Sequence, residues 1–171
     1  MTAKQRPAKE SHVTMTELVL PNDTNPLNNL MGGRLMHWMD IVSAIAAQKH
    51  SNQIVVTASV DNVSFSKPII LGSVVTLNAQ VTRAFNSSME VFIEVMAENI
   101  PKGERIDSNT AFYTFVAVDG FGKPINVSEV VPENEKEKEL YDGALHRRQL
   151  RLILSKRMKA EDATELKSLF D

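Results

Sequence analysis

The chain has no cysteine among its 171 residues. Disulfides, zinc–thiolate centres and thiol nucleophiles are therefore excluded, and the absence fits a reducing compartment. There is little net charge, −2 at neutral pH. A non-specific nucleic-acid binder needs a basic surface to release phosphate counterions, so no nucleic-acid partner is expected. No uninterrupted apolar run approaches about 18 residues, the length needed to cross a bilayer as a helix, so no membrane insertion is expected. The first residues, MTAKQRPAKESH, are polar and lack the apolar stretch of a secretory signal. The cytoplasm is the expected location. No HExxH motif, phosphate-binding loop or GxSxG elbow occurs. His12, His37, His50 and His146 lack the spacing of a metal site, so no metal is expected. There is no internal repeat and no low-complexity tract.

What remains is the composition of an ordinary globular protein, with 43% hydrophobic and 23% charged residues. Residues 1–11 read as a flexible polar arm. Residues 13–20, VTMTELVL, alternate loosely, as a strand does. The segment 21–33, PNDTNPLNNLMGG, is dense in Pro, Asn, Asp and Gly and reads as a long loop. Loops of this length are often functional. It leads into an apolar helix, GRLMHWMDIVSAIAAQKH, whose last turn carries Lys49 and His50, cations that suit the helix dipole. Four strands follow, at 54–66, 73–84, 89–98 and 110–119. In the second of these Val75, Leu77, Ala79 and Val81 share one face. In the third, Met89, Val91, Ile93, Val95 and Ala97 point inward while Glu90, Glu94 and Glu98 point outward. Period-two alternation of this kind marks half-buried antiparallel strands. From Glu133 the chain is highly charged, acidic first and basic later, and a helix is expected over 134–159 with Gly143 as its weak point. The order of elements gives an α+β protein. A helix that is apolar almost all round must be buried all round. One curved sheet wrapped about it is the hotdog arrangement, and one sheet cannot cover it completely, so a second subunit is expected.

The chemistry concentrates at the first helix. Asp40 stands two turns in, in the most apolar helix of the chain. Its neighbours three, four and seven positions on are Ser43, Ala44 and Ala47, a small-residue face that leaves room for a substrate, a water or another backbone. Gly32 and Gly33 open the helix, and free N–H groups at a helix N-terminus stabilise negative charge. A donor already aimed at a developing oxyanion lowers a barrier by about 3 kcal/mol. Asn29, just upstream, can polarise a carbonyl or position a water. A base, an oxyanion site and an orienting amide are the parts that acyl transfer to water requires. The structural readings stand beside this one: Asp40 as a hydrogen-bonding residue of an interface, GG as a turn, and Asn28 and Asn29 as turn formers. His37 is the competing base, on the ground that imidazole titrates near neutrality.

The run PNDTNPLNNLMGGRLMHWMD at 21–40 resembles the start of the hotdog-fold acyl-CoA thioesterases of the cytosolic acyl-CoA hydrolase (YciA-like) type. The resemblance continues through VTASVDNVSF at 56–65, PIILG at 68–72, RAFNSSMEV at 83–91 and TFVAVD at 114–119. It covers about residues 14–120. It implies a hotdog acyl-CoA thioesterase domain over 12–132, with residues 133–171 as an added charged helix and tail. It implies that Asp40 is the catalytic carboxylate, general base or nucleophile, for hydrolysis of acyl-CoA to free coenzyme A and a carboxylic acid. In the pattern GNxHGG, which reads Asn28-Asn29-Leu30-Met31-Gly32-Gly33 here, it assigns the partnering asparagine to Asn29 and an oxyanion N–H to Gly33. This chain departs from the pattern at Asn28 and Met31. The resemblance also implies that Asn29 and Asp40 of one site come from different subunits of a homohexamer, a trimer of dimers. By the same resemblance Thr57 and Ser59 are expected to flank the thioester and Arg83, Ser87 and Ser88 to hold coenzyme A, with Lys67 a further candidate. No cofactor is implied beyond the coenzyme A of the substrate. Two other functions remain open at this point: a non-hydrolytic acyl-CoA sensing module, and a hydratase acting on acyl thioesters with His37 at its centre.

Overall fold

Alternation of apolar and polar residues along the strands becomes alternation of burial in the computed structural model, which describes residues 5–61, 63 and 67–168. The main sheet contains β2 (Val13–Leu18), β3 (Ile54–Asp61), β4 (Val74–Ala84), β5 (Ser88–Asn99) and β6 (Glu104–Val118). Its strand order is β2-β4-β5-β6-β3, and every pairing is antiparallel. The inward rows on β4 and β5 are buried as their spacing predicts, and Ala111, Tyr113, Phe115 and Ala117 of β6 continue that layer. Over it lies α1 (Gly32–Ser51), which presses Leu35, Trp38, Met39, Val42, Ala46 and Ala47 into the core. Asn52 closes the helix in a left-handed conformation at φ 54°, a position where asparagine is among the best-tolerated side chains. No helix among the described residues is long and apolar enough to cross a membrane.

Three differences from the sequence reading stand out. Residues 5–11, expected as a flexible arm, are held in place. β1 (Gln5–Pro7) pairs in parallel with β7 (Glu129–Val131), and Ala8 and Ser11 are buried in the turn that follows. The reason lies in β4. Its partner β2 begins only at Val13, opposite Ala79, so the Val81 N–H has no strand beside it. The Ser11 hydroxyl accepts that N–H at 2.9 Å and donates to the Ala8 carbonyl at 2.7 Å. An orphaned buried N–H would otherwise cost about as much as a lost hydrogen bond. The last long strand begins at Glu104 rather than 110. The expected continuation of β3 through 62 and 64–66, Phe65 included, lies outside the described residues.

The third difference concerns Glu90. It does point away from α1, yet it is fully buried, because α2 (Glu135–Leu154) lies across the outer face of the sheet. Asn134 caps this helix by accepting the Glu137 N–H at 2.9 Å. Arg147 then folds back onto the sheet. Its Nε and Nη2 donate to the Glu90 carboxylate at 3.1 and 2.8 Å, and its guanidinium lies 4.0 Å from the centre of the Phe112 ring. The Thr82 hydroxyl donates to the same carboxylate at 2.7 Å. Gly143 does not break the helix. A Cβ there would stand 2.6 Å from Arg147 Nη1, so glycine at this position makes room for the pinned guanidinium.

Removing one partner of a buried ion pair typically costs 3–5 kcal/mol. Arg147→Met leaves the Glu90 carboxylate with only Thr82, and it should lower unfolding stability by about 3 kcal/mol in a urea titration. The double variant Glu90→Leu/Arg147→Met should recover most of that loss. A single-variant effect below about 1 kcal/mol would mean that the pair does not anchor α2.

Candidate active site

Asp40 faces neither the sheet's centre nor open solvent. It is half-buried on the flank of α1, on the side turned toward the edge strand β3. The Thr57 hydroxyl donates to Asp40 Oδ1 at 2.8 Å. Two of the expected site residues thus meet directly. No cation pairs with Asp40 among the described residues. The expected small-residue face is used differently from the sequence reading. Ser43 and Ala47 are fully buried against the sheet, with the Ser43 hydroxyl donating to the Met39 carbonyl at 2.5 Å, and only Ala44 stays half-exposed.

Thr57 and Ser59 do not share a face. Period two would put them on one side, but the β3–β6 register slips between them: Thr57 stands opposite Phe115 and Ser59 opposite Thr114. One extra residue in one strand re-aims the next side chain. Thr57 therefore turns inward to Asp40, and Ser59 turns to the outer face. There its hydroxyl and that of Thr114 are buried without hydrogen-bond partners among the described residues. Ser59 is not beside Asp40.

Beneath Asp40 lies Tyr113, which the sequence reading missed. Its hydroxyl donates weakly to the Met36 carbonyl at 3.4 Å. Burial, and then the Asp40 charge, push this phenol up to about 12. A tyrosine inside an apolar strand row reads as core, so nothing in the sequence marked it.

Asn29 and Gly33 belong to a second region. The loop before α1 is organised by two side chains that the sequence reading left unassigned within it. Asp23 is buried, accepts the Leu20 N–H at 2.9 Å and pairs with Arg34 at 2.9 Å. Asn25 accepts the N–H groups of Leu27 and Asn29 through one oxygen, at 2.9 and 3.2 Å, a local side-chain-to-backbone turn that its loop context predicts. Its amide nitrogen has no partner among the described residues. Asn28 stands at φ 57°. The glycine of the family pattern is thus replaced by a residue that tolerates the left-handed region comparatively well. Asn25, Asn29, Gly32, Lys67 and Asn109 line an open cleft of about 330 Å³. The Met31 carbonyl closes the first turn of α1 with Arg34 and Leu35, so the N–H groups of Gly32 and Gly33 remain at the helix end without intrahelical partners. Nothing lies within 4 Å of the place a Cβ on Gly33 would take. Asp40 is not a wall of this cleft; it lies eight residues further on, about 12 Å along the helix axis.

The expected coenzyme A residues divide as well. Lys67 is in the asparagine cleft. Arg83, Ser87 and Ser88 gather at the β4–β5 turn on the outer face. Arg83 donates to the Tyr141 carbonyl at 3.2 Å and stacks 4.1 Å from the centre of the Tyr141 ring. Among the described residues no three His, Asp or Glu side chains gather to hold a metal ion.

Residues 27–104 match the model of the thioesterase superfamily. A Bacillus subtilis protein named as an uncharacterized acyl-CoA thioester hydrolase, YkhA, is 46% identical over 85% of this chain and 85% of its own length. A hexameric acyl-CoA thioesterase crystallised in its apo form superposes with a TM-score of 0.86 at 39% identity, covering 89% of this chain and 97% of that one. The acyl-CoA hydrolase of Staphylococcus aureus, solved with butyryl coenzyme A, coenzyme A and coenzyme A disulfide, gives 0.81 at 38% identity over 90% and 95%. That enzyme has also been solved with single alanine substitutions at an aspartate, an asparagine and a threonine. The fold is the hotdog fold of the thioesterase superfamily. Within it, the chain belongs to the family of acyl-CoA thioester hydrolases.

The Tyr113 environment yields a pH test. An acid whose proton is held more tightly when folded loses stability as the unfolded chain ionises first. Stability should therefore fall as pH rises from about 10, the unfolded value, and the loss should level off near 12. Phenolate absorbance should show a folded-state step near 12 that is missing from Tyr113→Phe. Asp40→Asn should move that step downward, since it removes the second of its two causes. A step that ignores Asp40→Asn would separate the two groups electrostatically.

Proposed function

We propose that this chain hydrolyses acyl-CoA thioesters to free coenzyme A and a carboxylic acid, with Asp40 as general base. The observation that carries the reading is the Asp40–Thr57 pair: a carboxylate on an apolar flank, fixed by a neutral donor and left without a cation among the described residues. As general base, Asp40 takes a proton from water. The water adds to the thioester carbonyl carbon, the carbon–sulfur bond breaks, and the departing thiolate recovers the proton from Asp40. A nucleophilic Asp40 would reach the same products through an anhydride. The Gly33 N–H at the start of α1 is the oxyanion donor in this proposal. No metal or other cofactor enters the reaction.

The asparagine and the aspartate of one site come from two subunits. Within one chain the asparagine cleft and Asp40 lie apart. The exposed side of α1 that carries Asp40 also exposes Met36, Ile41 and Ile45; on the edge strand Val60, opposite Tyr113, is exposed on the same face of the sheet, and Ile54 and Val56 on the other. Apolar surface of this extent marks an interaction site, and we assign it to a second copy, within a homohexamer built as a trimer of dimers. For the asparagine we now favour Asn25 over Asn29. The three positions changed to alanine in the Staphylococcus hydrolase are separated by the same intervals as Asn25, Asp40 and Thr57 here. Asn29 lines the same cleft and holds the Asn25 oxygen from its backbone. Thr57 positions Asp40 and flanks the thioester. The cytoplasm, with its reducing poise, suits a chain without cysteine.

A sensing module would have no need of Asp40 held ready by Thr57, and a hydratase would need His37, which is exposed and has no charged partner among the described residues. Thiol release from acyl-CoAs of short to long chain tests the proposal. Asp40→Asn, still folded and oligomeric, should lose at least about a hundredfold in turnover. Mixing inactive Asp40→Asn subunits with inactive Asn25→Ala subunits should restore activity, because some sites then receive both native groups. Full activity in Asp40→Asn would make that residue structural. Failure of the mixture to recover after exchange would place the site within one chain, and an inactive Asn29→Ala beside an active Asn25→Ala would return the role to Asn29.

A further inference from the structure

Little in the sheet itself holds β3, the strand that carries Thr57. It is an edge strand, with only β6 beside it in this chain. Its pairing is also irregular, because β3 has one residue more than β6 between Thr57 and Ser59. A regular continuation from Thr57 would set Ser59 opposite Tyr113 and Asp61 opposite Ala111, both in the inner row. The bulged register sends Ser59 and Asp61 to the outer face instead. That register has an unfavourable side. The hydroxyls of Ser59 and Thr114 are buried in it without partners among the described residues, and a buried hydroxyl left unsatisfied is destabilising. Another contact has to offset it.

The ion pair between Asp61 and Arg151 of α2 exists only in the bulged register. Both side chains are largely shielded from water, at 28% and 16% exposure. The regular register would turn the Asp61 carboxylate into the apolar core and away from α2. The helix that supplies Arg151 is itself fixed one turn earlier. Arg147 is bonded to Glu90 of β5 and stacked on Phe112 of β6, and Phe112 is the residue directly opposite Asp61. Two arginines four positions apart thus grip facing positions on β6 and β3. Arg148, between them, stacks on the Phe85 ring at 4.3 Å and has no part in this grip. At its other end β3 is tied to α1 through only Asn52 and Gln53. Thr57 therefore lies between a short tether to the helix that bears Asp40 and a pin to α2.

We propose that Asp61 and Arg151 are positioning residues for the reaction: their ion pair holds β3 in its bulged register and so keeps the Thr57 hydroxyl on Asp40. The proposal rests on the acyl-CoA hydrolase reading above and extends it to a helix that the sequence reading left as an appendage. Neither residue touches the substrate. They act through Thr57, so their effect cannot exceed that of Thr57 itself.

Thiol release at saturating ester is the first readout. Arg151→Met and Asp61→Asn should each lower kcat about tenfold, less than the roughly hundredfold that a 1 Å misplacement can cost, with KM unchanged within about twofold. Thr57→Ala should lose at least as much. Adding Arg151→Met to Thr57→Ala should cost less than about twofold more, because the group being positioned is already gone. A chain without cysteine permits a rescue. Ser59→Cys and Thr114→Cys stand opposite each other in the observed register, where facing Cα atoms are about 4.5–5.5 Å apart, within disulfide reach. Oxidation of this pair in the Arg151→Met background should restore kcat to that of the oxidised pair alone, and reduction should abolish the gain. The proposal fails if kcat ignores Arg151→Met, if the losses from Arg151→Met and Thr57→Ala multiply, or if the disulfide does not rescue. It also fails if Arg151→Met dissociates the oligomer and oxidation does not reverse this. Amide hydrogen exchange separates the two claims. Wild type that hydrolyses no ester, with faster exchange over 57–61 in Arg151→Met and unchanged protection in β4 and β5, keeps the register pin and sinks the hydrolase. Hydrolysis with an indifferent Arg151 does the reverse. Wild type that hydrolyses nothing, with β3 exchange unmoved by Arg151→Met, overturns both.

Discussion

An apolar helix has to be covered on every side, and one sheet can cover it on one side only. The rest of this structure follows from that constraint. The side of α1 that carries Leu35, Trp38, Met39, Val42 and Ala46 is buried in the concave sheet. Ser43 and Ala47 are small on that side so that the helix axis can approach the strands. The opposite flank keeps Ile41 at 37% and Ile45 at 41% exposure, and the edge strand keeps Val60, on the same face of the sheet, at 37%. Covering side chains of this size removes roughly 1 kcal/mol or more of unfavourable hydration for each. A single chain therefore stops at a half-built core. Asp40 stands on the seam between the half that this chain completes and the half that it leaves open. An aspartate there is close to the apolar core without being sealed in it, and whatever covers the flank also covers the carboxylate.

The two faces of the sheet divide the remaining work. The inner face is apolar and continuous, and it fixes where α1 lies. The outer face is polar, and α2 attaches to it through charge: Arg147 on Glu90 and Phe112, Arg151 on Asp61, and Gln80 donating to Glu137 at 2.9 Å. A helix with only Ala144 fully buried is not held by apolar packing alone. Charge pairs with defined geometry fix its rotation about its own axis as well as its position, and that rotation decides which arginines reach the sheet and which are left over. Arg148 is left over because its neighbours on either side of the turn are pinned.

Element types and inward rows were legible in the sequence because they rest on periodicity, which the chain states directly. The β4 and β5 rows are the clearest case. What was not legible depended on single-residue breaks in that periodicity or on partners far away in the chain. One extra residue after Thr57 sends Ser59 to the wrong face, and no spacing rule reveals it. Glu90 reads as an exposed strand residue until a helix that begins 45 positions later lies over it. Residues 5–11 look like a free arm because the N–H that Ser11 satisfies belongs to residue 81. At the site, Asp40 and Thr57 could be read from the resemblance and do meet. The loop asparagines were harder, since Asn25, Asn28 and Asn29 share one residue type and differ only in what their backbones do: an Asx turn, a left-handed residue and a cleft wall.

The treatment of carboxylates makes the division between support and chemistry visible. Asp23 is paired with Arg34, Glu90 with Arg147 and Asp61 with Arg151. Each of these acids sits where a strand, a loop or a helix has to be held, and each is given a cation that fixes its position. Asp40 is as central to its own element as any of them, yet it receives a threonine hydroxyl. A guanidinium would have fixed the carboxylate equally well, but it would also have stabilised the charged form and opposed proton uptake. A hydroxyl donor restricts the rotamer at a small electrostatic cost, and it can turn away when the carboxylate gains a proton. In a chain that holds Asp23, Glu90 and Asp61 with arginines, the carboxylate on the exposed flank of α1 is held by a hydroxyl instead.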